Sequence, residues 1–240
     1  MTGLGTIINI ITVLIGGGLG TLFGGRMPTR MRETVMNGLG MFTIAIGLLM
    51  FTDSQNPIIV LGSLLIGGIL GEWWGIDDRL QQFGSWLEKR FASNSDAVEA
   101  SRFIKGFVTT SLVFCIGPMT VVGSIQDGIS GDFTLLAIKS VLDGFAALAF
   151  ASTLGIGVLF SVVAIFIFQG GLTFFAVQMQ GILTELMIAE MTATGGLLII
   201  GIGISSLLEL RQIRVGNFLP AIFLAPLVVA VVPSLPDLML

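Results

Sequence analysis

The sequence predicts an all-α protein, a polytopic bundle of about seven or eight transmembrane helices. Apolar runs of about 20 residues recur along the chain, the length that an α-helix needs to cross the hydrocarbon core of a bilayer. Charged residues make up 11% of the chain and hydrophobic residues 54%, whereas about 25% of the residues of soluble domains are charged. The basic residues also fall in alternate gaps between the apolar runs.

The predicted spans follow the apolar runs in order. They cover residues 4–25, 34–52, 57–75, 103–125, 134–154, 156–177, 190–208 and 216–235. The first run is too long for the core of a signal peptide, so we expect it to be a retained helix. The fifth and sixth spans leave only a very tight turn at 154–157. An alternative with seven spans makes 178–192 a re-entrant or interfacial segment.

Positive charge marks one side of the predicted bundle. Ten of the eleven Lys and Arg residues occupy alternate gaps, namely Arg26, Arg30, Arg32, Arg79, Lys89, Arg90, Arg102, Lys105, Arg211 and Arg214. Short loops rich in Lys and Arg stay in the cytoplasm. Eight spans therefore place every basic gap in the cytoplasm and both termini outside.

One long polar gap divides a single predicted membrane domain, residues 1–240. Residues 1–75 hold the first three spans, and residues 101–240 hold the others. Apolar side chains recur at helical spacing within 76–100, at Ile76, Leu80, Phe83, Leu87 and Phe91. This pattern predicts an amphipathic helix on the cytoplasmic surface with Trp86 as an interface anchor, although a helix packed under the bundle explains it equally well. Residues 92–100 are small and polar and are predicted to form a linker.

Glycines at every fourth position indicate close helix packing. Gly16, Gly20 and Gly24 follow this spacing in the first span, and Gly67 and Gly71 in the third. Small residues four apart let the backbones of two helices approach until they touch. We expect the partner helices to belong to the same chain, and a homo-oligomer formed through the same faces is the alternative.

Three pairs of segments resemble each other and suggest an inverted-topology repeat. The pairs are 17–19 with 170–172, 37–40 with 194–197, and 106–117 with 144–155. The members of each pair run in opposite directions in the predicted topology. Inverted repeats build many secondary transporters, whose site lies near the membrane midplane. Glycine-rich apolar helices also resemble each other without any repeat, so both interpretations stay open.

Polar side chains within the spans are the candidate site. An ionisable group in hydrocarbon costs at least about 2.5–3.5 kcal/mol unless it is paired or hydrated. Lys139 and Asp143 lie one helical turn apart and share a face, while Pro118 is expected to break the fourth helix and free a carbonyl group. The candidate substrate- or ion-binding residues are Thr110, Ser124, Gln126, Asp127, Lys139, Asp143, Ser152, Thr153 and Gln169.

Each candidate also has a structural interpretation. Lys139 with Asp143 could be an ion pair that holds helices in register, and Asp127 could be a loop carboxylate. The amide of Asn9 is expected to hydrogen-bond between helices rather than to bind a ligand. Glu190 lies near the predicted outer surface, where a solvated carboxylate is favoured over a cation-attracting entrance.

The residue types argue against several functional classes. The chain has no histidine, the commonest transition-metal ligand and the usual base for a Ser or Cys nucleophile. We therefore expect no enzyme, no metal and no cofactor. The net charge of −4 gives no basic face for a nucleic acid, and the single cysteine, Cys115, excludes an intramolecular disulfide.

The central polar segments resemble one known family. They are Phe114-Cys115-Ile116-Gly117-Pro118-Met119, 122–128, 139–144, 151–158 and Gln169-Gly170. The chain resembles, over nearly its whole length, the bacterial integral-membrane proteins known as domain of unknown function 554, which are often labelled transport proteins. The resemblance implies the bacterial inner membrane and implies no substrate. Recurring polar positions of the family coincide with Gln126, Asp127, Lys139, Asp143 and Gln169.

Two functions are compatible with these observations. The first is a secondary transporter or facilitator of a small solute or ion, with its polar site between spans four and six. The second is a non-transporting scaffold or regulator that forms oligomers through its glycine-rich helix faces. The lipid bilayer is a partner in both cases, and a small solute or ion is a partner only in the first.

Overall fold

A computed structural model describes residues 2–25, 28–92, 96–179 and 182–231, and these residues form helices without any strand. The all-α prediction is thereby confirmed. The α-helices are α1 (Leu4–Gly24), α2 (Thr29–Phe51), α3 (Pro57–Trp74), α4 (Ile76–Phe91), α5 (Ala97–Cys115), α6 (Pro118–Ser130), α7 (Thr134–Leu154), α8 (Ser161–Phe174), α9 (Ala176–Met179), α10 (Glu185–Ile202) and α11 (Leu219–Val231). Short 3₁₀ turns, Ile156–Phe160 and Val215–Phe218, lead into α8 and α11, and a π turn, Gly203–Leu207, extends α10.

Within the described residues, six helical segments are long and apolar enough to cross a membrane. They are Leu4–Gly24, Thr29–Phe51, Pro57–Trp74, Thr134–Leu154, Ile156–Phe174 and Glu185–Leu207. The pair α5 and α6 makes a seventh candidate, bent by 63° where the sequence predicted a break. The shorter apolar segment Val215–Val231 matches the start of the last predicted span. The end of that span (232–235) lies outside the described residues, as does the predicted basic residue Arg26.

Three helices begin earlier than predicted because local caps extend them. Helix α2 begins at residue 29, directly after Pro28, whose ring fixes a backbone angle suited to a helix start. The Thr184 hydroxyl accepts a hydrogen bond from the Met187 N–H where α10 begins at residue 185, so residues 185–192 of the alternative re-entrant segment belong to a span-length helix. Residues 180 and 181 of that segment lie outside the described residues, and the choice between seven and eight spans stays open. The Asp96 carboxylate caps α5, so the linker predicted to reach residue 100 ends before residue 97.

A single glycine makes the tight turn between α7 and the following span. Gly155 has a φ of 83° and a ψ of −159°, a conformation that residues with a Cβ atom rarely adopt. The N–H of Gly155 still donates to the carbonyl of Ala151, which closes the last turn of α7. The chain can therefore reverse within one residue, and the fifth and sixth predicted spans are separate helices.

The glycine faces of α1 and α7 bring two parallel helices into backbone contact. A Cβ atom added to Gly16 would lie 2.0 Å from the carbonyl oxygen of Gly144, and one added to Gly24 would lie 2.4 Å from that of Ser152. The residue numbers of both helices rise together along the interface, from Gly16 opposite Gly144 to Gly24 opposite Ser152. The two helices therefore run in the same direction. The glycine pattern of the first span is thus filled by a helix of the same chain, as predicted.

Two antiparallel glycine contacts join the remaining long helices. A Cβ atom on Gly67 of α3 would lie 2.4 Å from the backbone nitrogen of Ala221 in α11. One on Gly47 of α2 would lie 2.5 Å from the carbonyl oxygen of Gly196 in α10. The long helices therefore form a first group, α1 with α5 to α8, and a second group, α2, α3, α10 and α11. The inverted repeat stays a prediction.

The amphipathic helix α4 packs against α5 on one face. Leu87 is buried against Phe103 and Phe107 of α5, and the ring of Phe83 stacks on that of Trp86. Trp86 itself remains exposed, as expected for a side chain at a membrane interface. Packing against the bundle is thus confirmed for one face of α4, and the interface role of the other face stays a prediction.

Hydrogen bonds gather the basic segments at one end of the bundle, which we call the basic end. Arg32 donates to the carbonyl oxygen of Gly24 at the end of α1, and Arg102 donates to that of Thr153 at the end of α7. Lys105 forms an ion pair with Glu209. We call the other end, where α1 and α7 begin, the acidic end. This arrangement agrees with the charge pattern of the sequence.

A buried carboxylate anchors the turn between α2 and α3 at the acidic end. Glu190 is fully buried and accepts hydrogen bonds of 2.8 Å from the hydroxyl of Ser54 and from the backbone N–H groups of Gln55 and Asn56. The prediction of a solvated Glu190 is therefore wrong. A lone charge near a predicted surface gave no indication that backbone donors of a distant turn would surround it.

Candidate functional site

Five side chains from three helices form a buried group that we call the polar cluster: Thr6 and Asn9 of α1, Lys139 and Asp143 of α7, and Gln169 of α8. Lys139 forms an ion pair with Asp143. The Asn9 amide nitrogen donates to Asp143 Oδ2 and to Gln169 Oε1, both at 3.0 Å. The Gln169 amide nitrogen donates to the Thr6 hydroxyl at 3.1 Å.

The cluster lies almost entirely inside the protein. Asn9 is completely buried and Gln169 is 1% exposed, while the side chains of Lys139 and Asp143 keep 8% and 12% of their surface accessible. A buried ion pair repays its loss of hydration only when further hydrogen bonds complete its surroundings. The Asn9 amide supplies such a bond to Asp143, and Gln169 in turn holds Asn9, so the ion pair belongs to a larger hydrogen-bonded group.

One acceptor of the cluster has no partner in the described structure. The oxygen Oδ1 of Asn9 is buried without a hydrogen bond. Rotating the Asn9 amide would not remove the deficit, because its oxygen would then face the Asp143 carboxylate. A buried acceptor without a partner costs about 1–3 kcal/mol. The cluster therefore holds one acceptor ready for a donor or a cation.

The cluster extends from near the acidic end to about the middle of α7. Asn9 comes five residues after Leu4, the start of α1, and Gln169 five residues before Phe174, the end of α8. At 1.5 Å per residue these positions are about 7.5 Å from the helix ends. Asp143, nine residues into α7, is about 13.5 Å deep. The mid-membrane position of Gln169 stays a prediction.

Asp127 anchors the beginning of α1 beside the cluster. Its two carboxylate oxygens accept hydrogen bonds of 3.1 Å from the backbone N–H groups of Gly3 and Gly5. Negative charge is favourable at a helix N-terminus, where backbone N–H groups lack partners within the helix. Asp127 is fully buried and belongs to α6, so it is not a loop carboxylate. It fixes the end of the helix that carries Thr6 and Asn9.

The break between α5 and α6 lies between the two helix groups. Gly117 has an extended backbone at the break, and the Thr120 hydroxyl donates to the freed carbonyl of Phe114 at 3.3 Å. A cavity of about 20 Å³ adjoins the break, lined by Cys115, Gly117, Thr192 and neighbouring apolar side chains, which is room for about one water molecule. A mainly apolar cavity of about 350 Å³ extends from the break towards α4.

Three further predicted residues lie apart from the cluster's hydrogen bonds. The Thr110 hydroxyl donates to the carbonyl of Gly106 in its own helix. Ser124 is fully buried on α6, and its hydroxyl has no partner among the described contacts. Gln126 is exposed on the outside of α6, because α6 turns its Ser124–Asp127 face towards the other helices. Of these three, Ser124 alone keeps a free buried polar group.

Ser152 and Thr153 lie at the basic end rather than with the cluster. Their hydroxyls donate to carbonyls one turn back in α7, those of Ala149 and Phe150. Thr153 also lines a cavity of about 600 Å³ that opens at the basic end. The predicted site residues on α7 therefore divide between the polar cluster and the basic end. Ten residues separate Asp143 from Thr153, a distance of about 15 Å along the helix.

Sequence reasoning missed Thr6 and underestimated Asn9 as a member of the site. The prediction that Asn9 hydrogen-bonds between helices is confirmed, yet its partners are the two strongest site candidates, Asp143 and Gln169. Thr6 and Asn9 lie three residues apart on one helix face, which is the signal that could have indicated a shared contact. Within the described residues, no group of three or more acidic, Cys or His side chains could hold a metal ion.

An exposed carboxylate lies at the acidic end near the start of α7. Hydrogen bonds from the Thr134 hydroxyl and from the Thr134 N–H, the latter at 3.0 Å, hold the pKa of Asp132 below its usual value. Asp132 is therefore ionised throughout the neutral pH range. It keeps negative charge at the end of the bundle closest to the polar cluster.

Comparisons with known proteins agree on one family. The family profile described as "Protein of unknown function (DUF554)" matches residues 4–230. The "Uncharacterized membrane protein YdfK" of Bacillus subtilis (strain 168) is 30% identical over 232 residues, which cover 95% of this chain and 96% of that protein. The "Uncharacterized protein YqgA" of Escherichia coli (strain K12) is 32% identical over 223 residues, 92% of this chain and 94% of that protein. No solved structure matches the chain.

Proposed function

Because this chain belongs to the membrane-protein family described as "Protein of unknown function (DUF554)", we propose a function from its own residues. It is a secondary transporter or facilitator of a small solute or ion in the bacterial inner membrane, and not an enzyme. The basic end faces the cytoplasm, as short loops rich in Lys and Arg do. The polar cluster around Asp143 is the binding site.

The observation that carries this proposal is a buried ion pair combined with an unpaired acceptor inside a membrane helix bundle. A purely structural ion pair contributes little stability, since apolar side chains of similar volume often serve as well or better. The unpaired Oδ1 of Asn9 lowers the stability of the folded protein further. Charged groups retained within the membrane commonly mark the pathway of an ion or a substrate.

The available groups favour a cation or a solute that donates hydrogen bonds. Such a ligand would meet the carboxylate of Asp143 and the free oxygen of Asn9. It would compete with Lys139 for Asp143, because the ammonium of Lys139 is already paired there. An anion is disfavoured, because Asp143 already neutralises the charge of Lys139. Coupling to a proton or sodium gradient would act through the same carboxylate.

The path to the site would open first at the acidic end. The cluster lies about 7.5 to 13.5 Å from that end, whereas about 15 Å of α7 separates Asp143 from the cavity at the basic end. Passage to the basic end requires a motion of α1, α7 and α8, whose side chains form the cluster. The broken helix α5–α6 packs on α7 and α8, where a break can absorb such a motion.

The packing of the glycine faces supports the transporter over the scaffold alternative. Faces through which the alternative would join copies of the chain are occupied by helices of the same chain, as at Gly16 against Gly144 and at Gly67 against Ala221. A homo-oligomer stays a prediction, with no described surface that favours it. The transporter is therefore the function that we carry forward.

A thermal-unfolding screen of purified full-length protein tests the proposal. Monovalent and divalent cations, amines and neutral metabolites are added one at a time to the wild type and to Asp143→Asn. A ligand of the native state raises the midpoint of unfolding in a concentration-dependent way. We expect at least one compound to stabilise the wild type saturably and to have at least about tenfold weaker affinity for Asp143→Asn, which keeps the volume but loses the charge.

The matched control is Glu72→Gln, which removes one carboxylate from an exposed ion pair with Arg214 at the basic end. This variant should respond to the compound as the wild type does. A panel in which no compound stabilises the wild type, or in which Asp143→Asn responds fully, would rule out the cluster as a binding site.

A further inference from the structure

The lining of the cavity at the basic end carries one more positive charge than negative charge. The cavity measures about 600 Å³ and is formed by the start of α2, the start of α5, the end of α7 and residues 207–209. Its charged lining consists of three cations and two carboxylates, Arg32, Arg102, Lys105, Glu33 and Glu209. Glu209 is engaged by Lys105. Among the lining residues the two arginines face a single remaining carboxylate, Glu33, while Glu99 of α5 acts on Arg102 from outside the lining.

The two guanidinium groups are held in place yet keep most of their donors free for another partner. Arg32 donates from Nη2 to the Gly24 carbonyl at 3.1 Å, and Arg102 donates from Nη2 to the Thr153 carbonyl at 2.6 Å. Each guanidinium carries five N–H donors in a planar fork. The Nε of Arg32 is buried and has no hydrogen-bond partner among the described contacts. A buried charged donor in this state calls for an acceptor oxygen, and the neighbouring Nη donors of the same fork suit a second oxygen of that acceptor.

We infer that this cavity binds a phosphate group at the cytoplasmic face of the protein. Arginine forks pair with phosphate oxygens through parallel N–H···O bonds, and two forks from α2 and α5 suit a doubly charged group. The cavity is larger than a phosphate ion and has the size of a small-molecule site. The occupant is a small phosphorylated solute or the head group of an anionic phospholipid.

A bound phosphate would connect the two helix groups. Arg32 and Leu208 belong to the second group and its extension, whereas Arg102 and Thr153 belong to the first. The ligand would thus hold the basic end closed between them. This inference does not rest on the polar cluster, because the cavity lies about 15 Å along α7 from Asp143.

The test measures the binding of inorganic phosphate to full-length protein in detergent through the midpoint of thermal unfolding. The ionic strength is held constant, and chloride is the reference anion. We expect saturable stabilisation of the wild type. Arg32→Gln and Arg102→Gln should each weaken the apparent affinity by about ten- to a hundredfold, as expected for the loss of hydrogen bonds to a charged group. Arg32→Lys keeps the charge but loses the fork, and should also weaken binding.

The control variant is Arg79→Gln, an equal change of charge at an exposed position of α4, which should leave phosphate binding unchanged. Equal losses in Arg79→Gln and Arg32→Gln, or full binding by Arg32→Lys, would overturn the inference.

Nanodiscs distinguish the two sources of the phosphate group, a soluble phosphorylated solute and a phospholipid. Stabilisation by anionic but not by zwitterionic phospholipid, lost in Arg32→Gln, identifies the lipid head group as the occupant. If neither free phosphate nor anionic lipid stabilises the wild type, the inferred phosphate site is contradicted. Asp143→Asn should bind phosphate normally, which separates this result from the proposed transport site.

Discussion

Replacing Asp143 by alanine is expected to destabilise the protein by about 3–5 kcal/mol, because the Lys139 ammonium is left buried without its counter-charge. Replacing Lys139 by methionine should cost a similar amount, since Asp143 then keeps only the hydrogen bond from Asn9. The double variant Lys139→Met/Asp143→Leu should lie within about 1–2 kcal/mol of the wild type, because apolar side chains can replace a buried pair. The measurement is the free energy of unfolding of all four proteins.

The double-mutant cycle separates this buried pair from an ordinary surface pair. The same cycle at Glu72 and Arg214, whose side chains are 59% and 61% exposed, should give a coupling of at most about 1 kcal/mol. Purely additive effects of the changes at Lys139 and Asp143 would contradict the buried ion pair. A stable double variant also provides a folded protein without the charged groups of the proposed site.

Replacing Gly16 by alanine is expected to separate α1 from α7 and to destabilise the protein by about 1–3 kcal/mol or more. The new methyl group would lie 2.0 Å from the carbonyl oxygen of Gly144. Because the contact atom is backbone, relief requires a shift of a whole helix. Since Asn9 and Asp143 hydrogen-bond across the same interface, the polar cluster should loosen too. Thermal unfolding and ligand binding both report this change.

Gly18→Ala is the matched control on the same helix. No atom lies within 4 Å of a Cβ atom at Gly18, so the added methyl group meets open space. Alanine exceeds glycine in helix propensity by about 1 kcal/mol, and Gly18→Ala should be neutral or slightly stabilising. Equal destabilisation by both variants would show that the glycines serve α1 itself rather than its packing on α7.

The sequence predicted the helical spans and the contact between Lys139 and Asp143. It did not predict the unpaired oxygen of Asn9, the second feature on which the proposed site depends. Membrane thickness fixes the length of each apolar run, so the positions of α1, α2, α3 and α7 agree with prediction within a few residues. The spacing of Lys139 and Asp143 fixes their contact locally, because residues four apart share a helix face. Pro118 likewise marked the break, since proline cannot continue the hydrogen bonding of α5.

The tertiary partners of the polar groups could not be predicted in the same way. Asp127 binds the backbone of Gly3 and Gly5, more than 120 residues away, and no local pattern records which helix end a carboxylate will reach. Glu190 meets a distant turn for the same reason. Spacing along one helix shows which residues share a face, but the neighbour of that face depends on how all the helices pack.

The division of the predicted site residues also follows from packing. Ser152 and Thr153 share α7 with Asp143, yet their hydroxyls bond within their own helix at the basic end. The span that contains Gln169 was predicted to end at residue 177, whereas α8 ends at Phe174. Asn9 could be identified as a hydrogen-bonding residue, but its role emerged only when α1 was placed against α7 and α8.

The central claim is that the charged pair serves solute passage rather than mutual neutralisation alone. The most direct measurement is the flux of the best-stabilising compound into proteoliposomes that contain the wild type or the stable double variant Lys139→Met/Asp143→Leu. We predict a saturable wild-type flux above that of protein-free vesicles and no such flux in the double variant, despite its retained fold. Equal flux in both proteins, or a bound compound that the wild type never carries across, would contradict the claim.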